Sequence, residues 1–317
     1  MSKHEFVRSD EALPVEMPAA AGFRCLGSRR LWGGLAALVV LCLVFFPELL
    51  AWYRLAMGSD LHSHVILIPA VTIYLLVTGQ KELVWDSRPS LLAGMALIFF
   101  SGMAFGWCRM SNPPLSAVDL IVLKMSSFVV FLWGIGLLFL GWHWMRSALF
   151  PMGFLLFMIP LPDLAVEHLE QFLMVMSACL SEWVFSIGGI PVFRNGQVLE
   201  LPGTVLEVAK ECSGIRSTWV LFITSVLASY MFLPTIPRRF ALVAAVIPLG
   251  ILRNAIRIYV IGWLCVHYGP EMIDSWIHHK GGPVFFAASL LPLFLMAWWL
   301  RKRKVADPVS EAAGARG

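Results

Sequence analysis

Charge is what this chain has least of. Only 14% of its 317 residues are Asp, Glu, Lys or Arg, where a water-soluble domain carries about a quarter, so a soluble enzyme is excluded at the outset. Its six cysteines, at 25, 42, 108, 179, 212 and 265, show no C-x-x-C pair and no alternation with histidine, which argues against zinc, iron–sulfur clusters and a disulfide framework. The net charge of +4 sits beside apolar runs, where it sets membrane topology; nucleic-acid binding has no support. No small-residue cleavage site follows a short apolar segment near the start, so the first apolar run is read as a retained helix and not a removed signal peptide. No internal repeat is visible either.

What the chain does have is 59% hydrophobic residues and 13 tryptophans, the make-up of a protein whose solvent partner is the lipid bilayer. A hydrocarbon core of roughly 30 Å needs about 20 mostly apolar residues per helix. By that measure spans fall near 32–52, 64–79, 91–107, 118–140, 147–161, 213–233, 240–264 and 283–300, about eight transmembrane helices in an all-α integral membrane fold. Residues 1–31 read as a disordered cytoplasmic tail, 32–300 as the multi-pass body, and 301–317 as a basic cytoplasmic tail. Placing the N-terminus inside collects Arg24, Arg29, Arg30, Lys81, Arg88, Arg146, Arg238, Arg239 and the 301–304 cluster on the inner side.

Between the fifth and sixth spans, Leu169, Phe172, Leu173, Met176, Leu180 and Trp183 recur at helical spacing beside Glu167, Glu170 and Glu182. This is an amphipathic helix, lying on the outer surface or packed in the bundle; a ninth span would put Arg238 and 301–304 outside. Next comes Val192 to Leu201, apolar and β-branched residues around Asn195-Gly196, a strong hairpin signal. Pro202-Gly203 then turns the chain into a third strand over 204–208. A small extracytoplasmic β element thus leads straight to Cys212.

Three polar islands interrupt the last apolar spans: 211–216 with Cys212, Ser213 and Arg216; 254–257 with Asn254 and Arg257; and 278–282 with His278 and His279. Ionisable groups in lipid-spanning segments are expensive and mark function by default. Arg257, seven residues before the expected end of its span, lies roughly 10 Å below the outer surface. A thiol becomes nucleophilic when a cation or a helix N-terminus stabilises its thiolate, an imidazole exchanges protons near neutrality, and a guanidinium stabilises an oxyanion. Cys212, Arg257 and His278 therefore form a candidate acyl-transfer set, with Asn254 one turn before Arg257 to orient it.

The run Glu207-Val208-Ala209-Lys210-Glu211-Cys212-Ser213-Gly214-Ile215-Arg216-Ser217, followed by Asn254-x-x-Arg257 and His278-x-x-x-Gly282, resembles the exosortase family. The resemblance implies a bacterial multi-pass cysteine peptidase and transpeptidase. Such an enzyme cuts a C-terminal Pro-Glu-Pro-type sorting signal from exported, exopolysaccharide-associated proteins and joins the new C-terminus to an acceptor nucleophile. It further implies a site facing the periplasm from the inner membrane, no cofactor and no metal. The family triad maps onto Cys212, Arg257 and His278, with Ser213, Arg216, Asn254 and His279 in substrate-binding or supporting roles. Lys210 stands where a small or acidic residue is common, and His279 duplicates the histidine.

Other polar groups carry blander readings. Arg253 is structural by default, and Lys124 either snorkels outward or contacts the anionic sorting motif. Asp60, His62 and His64 form a D-x-H-x-H cluster read as solvated side chains of a short loop, with metal binding the weaker option. Two other functions compete: a transporter whose Lys124, Arg253 and Arg257 line an anion path, and an assembly subunit for an exported polysaccharide in which the islands only bind partner helices.

Overall fold

A computed structural model of the chain describes residues 28–79, 83–84, 88–111, 113–208, 213–274 and 282–302. Helices dominate. In chain order they are α1 (Ser28–Val44), α2 (Phe46–Gly58), α3 (Leu67–Thr78), α4 (Leu91–Met110), α5 (Ala117–Phe139), α6 (Gly141–Ser147), α7 (Leu149–Phe154), α8 (Asp163–Ile187), α9 (Ile215–Phe232), α10 (Ile236–Ala244), α11 (Val246–Tyr268) and α12 (Gly282–Lys302). Strands β1 (Phe193–Asn195), β2 (Val198–Leu201) and β3 (Thr204–Glu207) lie between α8 and α9.

By length and composition five helical stretches suffice to cross a membrane, or up to seven when two bent helix pairs are each counted as one span. The short apolar helix Ser63–Thr78 adds an eighth apolar element, compatible with the eight read from the sequence. Boundaries differ in instructive ways. The span expected as 32–52 is α1 plus α2, bent by 68° at Phe45. Pro47 cannot donate to the carbonyl four residues back, and its ring crowds that turn, so a straight helix is ruled out there. At the other end α11 runs to Tyr268, which puts Arg257 about 16 Å from the helix end along the axis and not about 10 Å.

The chain divides into two compact units, one of residues 1–58 and 65–160, the other of 59–64 and 161–317. In the first, α4 and α5 approach closely because each contributes a glycine: a Cβ on Gly94 would stand 3.0 Å from the Gly134 carbonyl, and one on Gly134 2.7 Å from Ile98. Small residues let backbones meet where lipid supplies no hydrophobic drive between helices. Phe45, fully buried, fills the core with Phe105 at 4.2 Å and Phe128 at 5.4 Å between ring centroids. Ser116 caps α5 by accepting the Asp119 amide at 3.0 Å.

The second unit is built around α8, the sheet and α11. The three strands are antiparallel in the order β1-β2-β3. Asn195 pairs with Val198, so Gly196 and Gln197 form the two-residue turn, with Gly196 at φ 63°. Leu201 pairs with Thr204, and Gly203 at φ 80° takes the left-handed position that follows Pro202 in a type II turn. One core holds these pieces together: Ala178 and Phe185 from α8, Leu199, Leu201 and Leu206 from the sheet, Val208 just after it, and Ile258, Ile261 and Cys265 from α11. Arg194 also donates to Glu182 at 2.6 Å, tying β1 to α8.

The helix expected in 162–190 exists as α8 and packs in this unit, but its buried face is not the most apolar one. Ser177, Ala178 and Ser181 are buried with Leu173, Met174 and Phe185, while Phe172, Met176 and Trp183 are exposed. Ser181 reaches the Ala255 carbonyl at 3.4 Å. The small residues Ser177, Ala178 and Ser181 let the helix contact be close, while Phe172, Met176 and Trp183 stay on the exposed side.

Candidate active site

Two of the three polar islands meet in the second unit. The α9 helix begins at a left-handed Gly214, φ 71°, a conformation that costs other residues roughly 1–2 kcal/mol. That turn brings Gly214 against α11: a Cβ on it would lie 3.2 Å from Arg253 Nη2 and 3.4 Å from Asn254 Oδ1. Arg253 Nη2 donates to the Gly214 carbonyl at 3.2 Å and to Thr218 Oγ1 at 3.0 Å. The approach needs Gly250, where a Cβ would strike Thr218 Oγ1 at 2.7 Å. Ser213 and Asn254 are 2% and 3% exposed, and Arg257 follows Asn254 by three residues on the same helix.

Cys212 lies outside the described residues, as do His278 and His279, so the triad is judged from what surrounds it. Val208, 2% exposed, hydrogen-bonds to the Gln197 carbonyl at 3.0 Å. Ser213 is equally buried and starts the chain into α9. Four residues, 209–212, connect these two anchored points. The sheet thus has a definite job, which is to deliver the chain to the first turn of α9.

A fourth element joins the same unit, and sequence reasoning missed it. Asp60 Oδ2 lies 2.7 Å from Arg216 Nη1, and Trp219 Nε1 donates to His64 Nε2 at 3.2 Å. Arg216 and Trp219, three apart, share one helix face, so loop 59–64 caps the first turns of α9. The Leu61 carbonyl accepts from His64 Nδ1 at 2.9 Å. That fixes the tautomer, with Nε2 as the acceptor. Burial lowers the pKa of the His62 imidazole, 5% exposed, with the Leu161 carbonyl and Asp163 working the other way. The expectation of a solvated loop is therefore corrected for the two histidines: His62 is buried and His64, half-buried, is held between the Leu61 carbonyl and the Trp219 indole, while Asp60 stays exposed. The D-x-H-x-H spacing held the only hint of this, since the partners are more than 150 residues away in sequence.

Lys124 is corrected as well. Its Nζ lies 3.6 Å from Glu48 Oε1, a carboxylate 5% exposed that Arg109 also meets at 3.3 Å. Its counter-charge is this buried acid, a partner within its own unit that the sequence reading did not foresee.

A multi-pass membrane protein in which two polar islands meet at the start of one apolar helix defines a class, a membrane protein with a built-in polar site. More specifically, the model of the transmembrane exosortase family matches residues 52–295, and the chain belongs to that family. No curated protein and no solved structure gives a match.

Proposed function

We propose that this chain is a membrane cysteine peptidase and transpeptidase of exosortase type, acting on the C-terminal sorting signal of exported proteins, of Pro-Glu-Pro type, at the periplasmic face of a bacterial inner membrane. The single observation that carries the reading is the seating of Ser213-Gly214, next to Cys212, on Arg253-Asn254, one turn from Arg257. Two islands about 40 residues apart have no reason to converge if each merely tolerates lipid.

In this reading the Cys212 thiolate attacks the scissile carbonyl, whose oxygen takes the negative charge and is stabilised by Arg257. The C–N bond then breaks as His278 gives its proton to the leaving amine, and a thioester remains on Cys212. His278 next takes a proton from the acceptor nucleophile, which attacks the thioester and expels the Cys212 thiolate, leaving His278 protonated as at the start. Asn254, Ser213 and Arg216 shape and orient the site, and His279 is the neighbour able to stand in for His278. A substrate with its motif outside, an apolar helix and a basic end would present its scissile bond at this face by the same charge asymmetry that orients the enzyme.

The test is co-expression with a tailed substrate and mass spectrometry of the product C-terminus, wild type against Cys212→Ala. Loss of processing by at least about a thousandfold is expected for a missing nucleophile. An unchanged product in the variant would refute the assignment.

A further inference from the structure

Arg253 has no place in the family triad, yet it is buried, 7% exposed, within an apolar helix. One end of its guanidinium is used, Nη2 donating to the Gly214 carbonyl and to Thr218 Oγ1. The other end is not: Nη1 is buried and, among the described residues, has neither a hydrogen-bond acceptor nor a carboxylate paired with it. A desolvated cation answered only by neutral oxygens is expensive, and an anion that completes it recovers the cost. Its position adds to the case. Nη2 grips the first turn of α9, an 18-residue helix whose leading amides lack intrahelical acceptors and whose dipole favours negative charge at this end. That turn has a closed side, with Ser213 and Thr218 buried, and an open one, where Gly214 and Ser217 are partly exposed and Arg216 is exposed.

We propose that Arg253 Nη1 and the N-terminal turn of α9 form a carboxylate site that reads an acidic side chain of the peptide being cut, the Glu of its sorting signal. The inference rests on the proposed function and deepens it by dividing the work between two guanidinium groups: Arg257 serves the reacting carbonyl, and Arg253 selects the tail. A guanidinium presents planar N–H donors that carboxylate oxygens accept in charge-assisted bonds. The Gln isostere has one acceptor oxygen, and its amide N–H groups would face those donors. A site built from buried polar groups rejects the analogue that cannot answer them far more strongly than an apolar pocket rejects a change of size. The spacing on α11 also sets where the acid belongs. Arg253 and Arg257 are one turn apart, about 6 Å along the axis, which is about two residues of extended peptide. The acid is therefore expected about that far from the scissile bond. Arg253 makes no bond to the reacting atoms in this assignment; it determines specificity.

The experiment is a competition. Two tailed substrates, identical but for Glu or Gln in the motif and distinguishable by mass, are co-expressed with the full-length enzyme, and the ratio of their processing is read by mass spectrometry. Wild type is expected to prefer the Glu tail by about thirtyfold, the worth of a buried hydrogen bond to a charged group. In Arg253→Met the preference should fall to about two- or threefold, and in Arg253→Lys, which keeps the charge and loses the fork, to about tenfold. Both tails compete for the same enzyme molecules, so damage to folding or insertion slows them equally and leaves the ratio alone. An equal preference in wild type and Arg253→Met would overturn the proposal. So would a wild type that does not distinguish the tails, which leaves Nη1 to a buried water. If Arg253→Met processes neither tail, Thr218→Val decides: it frees one anchor of Nη2 while keeping the cation, the preference should drop severalfold, and an unchanged ratio overturns the proposal. Failure here is distinct from failure of the proposed function. Processing that survives Cys212→Ala, or wild type that processes neither tail, refutes the reaction, whereas an insensitive ratio refutes only the role of Arg253.

Discussion

Glu48 in the first unit and Arg253 in the second are buried to nearly the same degree, 5% and 7% exposed, and their surroundings are opposite. Glu48 has gathered Lys124 at 3.6 Å and Arg109 at 3.3 Å. Arg253 has gathered a carbonyl and a hydroxyl. Desolvating a charge is repaid by an opposite charge held in good geometry. Glu48 has two cations on its Oε1 where Arg253 has only neutral oxygens, although Glu48 Oε2 and Arg253 Nη1 are each buried without a hydrogen-bond partner among the described residues. Ionisable residues inside a membrane protein are therefore not functional as a class. The partner decides: Glu48 sits against cations, whereas Arg253 sits against a carbonyl and a hydroxyl.

The largest effect that sharpens this contrast is expected from Glu48→Ala. Removing the acid leaves Lys124 partly buried without its counter-charge, a loss of about 2–4 kcal/mol in folding stability. Thermal unfolding in detergent measures it, and adding Lys124→Met should recover much of the loss because no buried ammonium is then stranded. Substrate processing per folded molecule should stay within about twofold in the double variant. Processing that collapses while the fold holds would break the comparison and return this cluster to the functional side.

That contrast bears on what could be read from the sequence alone. The hairpin at Asn195-Gly196, the turn at Pro202-Gly203 and the islands at 213–216 and 254–257 were all legible, because turn chemistry is local and polar residues stand out in apolar runs. The buried face of α8 was not. In lipid both faces are apolar, so of the periodic set Leu169, Phe172, Leu173, Met176, Leu180 and Trp183 only Leu173 is fully buried, and the packing stripe adds Ser177, Ala178 and Ser181. The difference between Lys124 and Arg253 was equally hidden, because it depends on Glu48 and Gly214, far away in the chain.

His64 offers an intermediate effect. Its ring donates to the Leu61 carbonyl and accepts from the Trp219 indole, so His64→Phe keeps the shape and strands both partners, at a cost of about 1–2 kcal/mol. Unfolding midpoints in detergent measure it, and adding Trp219→Phe should recover part of the loss because no indole N–H is then stranded. An unchanged midpoint in the single variant would mean that this contact does not hold loop 59–64 to α9.

The smallest effect on stability belongs to Asp60 and Arg216, and it is the most informative about function. Both side chains face water, at 80% and 57% exposure, and an exposed ion pair contributes at most about 1 kcal/mol. Yet Arg216 is four residues after Cys212, and Asp60 holds one edge of its guanidinium while the rest faces solvent. Asp60→Arg and Arg216→Asp should each lower processing about tenfold with unfolding midpoints nearly unmoved, because the single variants put like charges together at the mouth of the helix. The double swap restores the attraction with the partners exchanged and should recover part of the rate, chiefly through KM if the pair only shapes the entrance. Wild-type processing in all three would make the contact an ordinary surface pair and leave loop 59–64 with a packing role alone. Failure of the swap to recover anything, with both single variants impaired, would show that Arg216 itself, and not the pairing, is what the substrate meets.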